Sequence, residues 1–156
     1  MKKTYILVGI LIIVALALFL VFRPTASSYP LLNNVEGVDF YRSGSCGCCG
    51  LYKGYLINNG KLNVNDVMVE DTDELKKRFK IPSEMESCHT SIIDGYFVEG
   101  HMPLEAVEKL LEERPDILGI ALPGMPQGAP GMTGSKEDFV IYAIHKDGTK
   151  TEFMRM

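Results

Sequence analysis

Three of the four cysteines stand within four residues, Cys46-Gly47-Cys48-Cys49, and the fourth is Cys88. That distribution excludes a small fold stapled by disulfides, which needs its cysteines spread along the chain. The chain must therefore fold around an apolar core. Its 156 residues, 46% hydrophobic and 23% charged, are enough for one. The same clustering points to metal or redox chemistry at one place in the fold.

Tyr5 to Phe22 is an uncharged apolar run, preceded by Lys2 and Lys3 and followed by Arg23-Pro24. As a helix it would be about 27 Å long, enough to cross a thin hydrocarbon core. It is longer than the apolar stretch of an ordinary cleaved signal. The expectation is an N-terminal transmembrane helix acting as a signal anchor, with a signal peptide cut near Ala26-Ser27-Ser28 as the rival. More positive charge lies before the run than after it, so the N-terminus stays cytoplasmic. The body then lies outside the cytoplasm, in the periplasm or at the cell surface, held to the inner or cytoplasmic membrane. Three of the 16 basic residues, and none of the 20 acidic ones, fall in the first 28 positions. The body is thus acidic with no basic stretch, which argues against nucleic acid as a partner.

Along the body, Val38 to Tyr41 and Val64 to Val69 read as strands, with a helix from Cys49 to Asn59 between them that stops at Gly60. Asp71 with Glu74 three residues on reads as a capping box, opening a helix that ends before Pro82. Asp94-Gly95 predicts a two-residue hairpin between Ser91-Ile93 and Tyr96-Val98. From Pro103 to Arg114, Leu104, Val107, Leu110 and Leu111 share one helix face. Pro123 to Gly134 is a loop in which Pro-Gly-Met occurs twice, ending at Met125 and Met132. Phe139 to His145 and Thr149 to Met154 form a last hairpin. This order is that of an α/β, thioredoxin-like fold with an added C-terminal β-hairpin. The cysteine cluster falls between the first strand and the first helix.

Two chemistries compete there. Cys46 and Cys49 have C-x-x-C spacing at a helix start, where free amides and the dipole lower a thiol's pKa. That supports a thiol–disulfide oxidoreductase with Cys46 as nucleophile and Cys49 as resolver. Cys48 has no use in such an enzyme, whereas thiolates that bridge ions use it naturally, so three packed thiols favour a multinuclear metal site. Cys88 is a candidate fourth thiolate and His89 an imidazole ligand, because the loop before the hairpin strand comes beside the cysteine turn in such folds. Met125 and Met132 are either soft ligands or an apolar lid. His101 reads as a solvated loop residue and His145 as structural. Thiolate, thioether and imidazole form a soft set that favours Cu(I). A zinc site prefers two separated cysteine pairs, absent here.

Taken in order, Cys46-Gly47-Cys48-Cys49, Ser87-Cys88-His89-Thr90, Gly95-Tyr96, Glu99-Gly100-His101, Leu110-Leu111, Pro123-Gly124-Met125-Pro126 and Pro130-Gly131-Met132 resemble the family of the periplasmic copper-resistance protein CopG. The resemblance runs from Val38 to the C-terminus. It departs after the cysteine cluster, where the family commonly has Trp and this chain has Leu51-Tyr52. It implies a thioredoxin-like fold and a copper site of more than one ion on Cys46, Cys48, Cys49 and Cys88. It also implies a role in copper resistance that includes interconversion of Cu(I) and Cu(II). The expected division is 1–24 signal anchor or signal peptide, 25–36 tether, and 37–156 thioredoxin-like metal-binding domain. The expected partners are metal ions, the membrane, and copper-transport or copper-resistance proteins; an alternative to redox turnover is a non-enzymatic factor that delivers copper to such a protein.

Overall fold

The computed structural model describes residues 28–135 and 137–156, together with 12–14 and 18. β1 (Val38–Ser43) pairs parallel with β2 (Val64–Val69) and antiparallel with β3 (His89–Ile93). Between β1 and β2 runs α1 (Gly47–Asn58), and after β2 comes α2 (Thr72–Arg78). The α2 start is capped as its sequence predicts: the Asp71 carboxylate accepts from the amides of Asp73 and Glu74 at 2.8 and 3.1 Å. β3 turns into β4 (Tyr96–Glu99) through Asp94 and Gly95. Both have positive φ, 50° and 88°, as a tight two-residue hairpin turn requires.

α3 (Leu104–Glu113) buries Leu104, Ala106, Val107, Leu110 and Leu111 and ends where Arg114 turns left-handed. The Glu108 carboxylate on its flank accepts the amides of Leu31 and Leu32 at 2.8 and 3.2 Å, which seats the buried Leu32 on the helix. β5 (Gly119–Ala121) then pairs parallel with β4. β6 (Val140–Ile144) and β7 (Lys150–Arg155) continue the sheet antiparallel, in the order β2-β1-β3-β4-β5-β6-β7.

Side chains of successive strand residues point to opposite faces, so the sheet is covered on both sides. Val98, Ile120 and Ile141 join Cys49, Tyr52 and Leu56 of α1 and the apolar face of α3 in the larger core. Their neighbours Phe97 and Ala121, with Ile144, join Ile81 and Met85 in a smaller core after α2.

This architecture corrects the expected fold class. The strands do not form a thioredoxin-like unit with a hairpin added to it. β5, which the sequence did not reveal, bonds to both β4 and β6 and makes one continuous seven-stranded mixed sheet. The expected transmembrane helix over 5–22 lies outside the described residues, apart from 12–14 and 18. Among the described residues no helix is long and apolar enough to cross a membrane.

Candidate metal centre

The β1–α1 turn sets the first donors. Ser43 Oγ accepts the amide of Ser45 at 3.3 Å, and the Ser43 carbonyl accepts that of Cys46 at 3.2 Å. Cys46 is the extended N-cap of α1, and Cys48 and Cys49 occupy its first turn, the helix starting at Gly47, two residues earlier than read from sequence. Because β3 lies beside β1, with His89 opposite Arg42, the residue before β3 arrives at the same turn. That residue is Cys88. Cys48 Sγ lies 3.8 Å from Cys46 Sγ and 3.9 Å from Cys88 Sγ. Cys46 and Cys49 are joined by a disulfide, leaving Cys48 and Cys88 as free thiols. Cys49 is fully buried, with its Sγ 3.7 Å from the Cys88 carbonyl oxygen. Burial, and then the neighbouring Cys48, push the Cys88 thiol up to about 12. It is protonated at neutral pH, and a metal entering there must displace that proton.

Cys88 also belongs to a second group. Its Sγ is 3.3 Å from His89 Nδ1, and the donor atoms of Cys88, His89 and His101 all lie within 4.8 Å of one another. His89 and His101 are both fully buried. His101 Nδ1–H donates to the Pro130 carbonyl at 2.7 Å, so its Nε2 carries the lone pair. That Nε2 and the Nε2 of His89 are buried with no hydrogen-bond partner. Buried polar atoms are ordinarily paired, so two adjacent exceptions call for a ligand. Burial lowers both imidazoles; His89, with His101 beside it, falls to about 3. Both rings are neutral at pH 7 and available as ligands.

Tyr52 of α1 backs this pair. Its ring centroid is 4.6 Å from that of His89 and 5.2 Å from that of His101, and its hydroxyl donates to the Met102 carbonyl at 2.9 Å. Burial holds the hydroxyl above the usual phenol range, so it stays a neutral donor. The 123–134 loop closes the other side. Gly131 has φ 78°, and a Cβ there would stand 2.8 Å from the Tyr52 amide nitrogen. Glycine lets the loop lie on α1 and bring the Pro130 carbonyl to His101.

The structure thus brings together Cys46, Cys48, Cys49, Cys88 and His89. It adds His101, which reads from sequence as a solvated loop residue because its burial depends on a loop 29 residues away. Met132 is half-buried in a groove along α1 with Gly50, Leu51, Gly54 and Tyr55. Met125 is exposed, but its neighbour Gly124 accepts the Ser87 hydroxyl at 2.6 Å, beside Cys88. His145 is elsewhere, with Nε2 2.9 Å from Thr151 Oγ1.

The donors present fit a soft metal: four sulfurs and two unpartnered imidazole nitrogens, in two sets that share Cys88. All four cysteines act as thiolates only after the disulfide has taken up two electrons.

A family described as "Protein of unknown function, DUF411" matches residues 85–132, the stretch that holds Cys88, His89, His101 and both loop methionines. The curated proteins include no match. Two solved structures are similar. One, "Copper resistance protein copG- Form 2", is 37% identical over 77% of this chain and 97% of that chain, with a TM-score of 0.72. The other, "Copper resistance protein copG- Form 1", is 37% identical over 77% of this chain and 96% of that chain, with a TM-score of 0.71. Identity of that level across nearly the full length of those structures shows that the chain belongs to the CopG family of copper-resistance proteins.

Proposed function

We propose that this protein binds more than one Cu(I) ion in copper homeostasis or resistance, in an extracytoplasmic setting, through Cys46, Cys48, Cys49, Cys88, His89 and His101, with residues 37–156 as the metal-binding domain. The observation that carries this reading is the sharing of Cys88 between a four-cysteine set and a cysteine–histidine set. A thiolate common to two sets is suited to bridging ions. The soft donors supply affinity for Cu(I), and the neutral imidazoles bind without releasing a proton. Met125 and Met132 complete the reading as a soft cap on the mouth of the site. Competition between Cu(I) and zinc on the reduced protein tests it: Cu(I) should displace zinc, and retention of zinc against equimolar Cu(I) would refute it.

The Cys46–Cys49 disulfide favours a second reading. In thiol–disulfide exchange, a partner thiolate attacks Cys46 and displaces Cys49 as thiolate; a second partner thiolate then resolves the mixed disulfide, which leaves the partner as a disulfide and Cys46 and Cys49 as a dithiol able to reduce another substrate. Exchange needs neither Cys48 nor the histidines, so insulin reduction by a Cys48→Ser variant separates it from copper binding. Delivery of copper to a partner protein uses the same site and differs only in transfer to that partner.

A further inference from the structure

Lys76 and Glu99 are buried charged side chains, 4% and 0% exposed, that neither reading above employs. Their Nζ and Oε1 are 3.3 Å apart. Burying an ion pair costs so much desolvation that an apolar pair of similar volume often serves stability equally well. What the pair holds is therefore informative. Glu99 Oε1 accepts the Ser87 amide at 2.6 Å, and Glu99 Oε2 accepts the Thr90 hydroxyl at 2.5 Å. One carboxylate thus grips the chain on both sides of Cys88-His89. Lys76 Nζ donates to the Ser87 carbonyl, the oxygen of the peptide that leads into Cys88, and has Glu86 Oε2 at 3.8 Å. Ser87 is bound at its amide, its carbonyl and its hydroxyl. Gly100, with φ 84°, follows Glu99 where a Cβ would stand 2.5 Å from the Leu122 carbonyl oxygen, and it leads directly to His101. The clamp and the second histidine therefore leave the same end of β4.

We propose that Lys76 and Glu99 are positioning residues for the metal centre: they fix the Ser87–Cys88 peptide and Thr90 so that Cys88, the donor common to both ligand sets, stays within reach of Cys48 on one side and of the two histidines on the other. The inference rests on the copper-binding reading. Ligands must be held to within about 0.5 Å to keep their geometry, and loss of a group that orients a metal ligand typically weakens binding by about 10–100-fold.

The test uses Glu99→Gln, Thr90→Val and Thr90→Ser in the full chain, reduced and loaded anaerobically with Cu(I), and separately with Cd2+ as a spectroscopic probe. Affinity is read by competition with a Cu(I) chelator, donor geometry by the thiolate charge-transfer band and the cadmium NMR shift, and folding by melting of the metal-free protein. Thr90→Val should bind Cu(I) about tenfold or more weakly with a moved band and cadmium shift, and Thr90→Ser should restore the wild-type values. Glu99→Gln should do the same or more. Should Glu99→Gln fail to fold, the Thr90 pair decides alone. Folded variants that melt lower but keep wild-type affinity and spectra would overturn the inference and leave the clamp a purely structural pair, with copper binding untouched. A wild-type chain that binds no Cu(I) would overturn the copper reading and this inference together.

Discussion

His89 and His101 meet edge to face with ring centroids 4.9 Å apart, and each buries an Nε2 that no atom of the described residues satisfies. A buried donor or acceptor without a partner costs about 1–3 kcal/mol. Two side by side against Tyr52 make a site that gains from a bound ion. Replacement of His101 by Phe keeps a ring against Tyr52 and removes the free nitrogen. We expect metal-free His101→Phe to melt within about 1 kcal/mol of wild type, because the lost bond to Pro130 offsets the removed unsatisfied atom. Its copper-to-protein ratio should fall. An unchanged ratio, measured by elemental analysis, would remove His101 from the ligand set.

Cys48 separates the two chemistries most sharply. Its Sγ lies 3.8 Å from Cys46 Sγ and 3.9 Å from Cys88 Sγ. Cys48→Ser should leave the Cys46–Cys49 disulfide and the fold intact while copper capacity drops. Full copper loading with retained insulin-reductase activity would instead mark an exchange enzyme.

The loop methionines are tested by Met125→Leu combined with Met132→Leu. Leucine conserves volume and apolarity, so stability should change by less than about 1.5 kcal/mol even though Met132 packs on the core. Cu(I) retention against a chelator should weaken while zinc affinity holds, because a thioether is a soft ligand. Unaltered Cu(I) retention would leave Met125 and Met132 with packing alone.

Asp66 gives the fold an acid-sensitive joint between β1, β2 and α1. Arg42 of β1 binds both of its oxygens, at 2.8 and 2.9 Å, and Lys53 of α1 binds one at 2.7 Å. The Arg42 hydrogen bonds hold the Asp66 carboxyl down to about 2 against an upward push from burial, with Lys53 adding to the downward pull. A carboxyl lowered in the folded state binds fewer protons than in the unfolded chain. Its stabilisation is complete above the unfolded value near 3.8 and disappears as pH falls through about 2. Asp66→Asn should cost about 1–2 kcal/mol at neutral pH, and the gap in melting temperature should close between about pH 4 and pH 2. A gap that persists at pH 2 would show that packing, not charge, holds the joint.

Local patterns account for what the sequence made legible. Asp71 caps α2 and Asp94-Gly95 turns the hairpin through contacts within a few residues, and the helical spacing of Leu104, Val107, Leu110 and Leu111 marks the face that α3 buries. Cys88 was legible as a partner of the cysteine turn because strand order alone brings it there. Gly119–Ala121 carried too short a pattern to announce a strand, and its pairing depends on β4 and β6, each more than 18 residues away in sequence. His101 resembled a solvated loop residue because its cover, Pro130 and Gly131, folds back from a loop without periodicity. The clamp of Lys76 and Glu99 was hidden for a related reason: Lys76 sits in α2, whose charged sequence reads as a solvated face.

The count of copper ions on the reduced protein tests the central claim most directly. Purified and reduced without oxygen, so that Cys46 and Cys49 are thiols, the protein is loaded with excess Cu(I), freed of unbound metal and analysed for copper and sulfur. Two ligand sets sharing Cys88 predict more than one copper per chain, with a lower ratio in Cys48→Ser. A ratio of one copper per chain in wild type, unchanged by Cys48→Ser, would contradict the account.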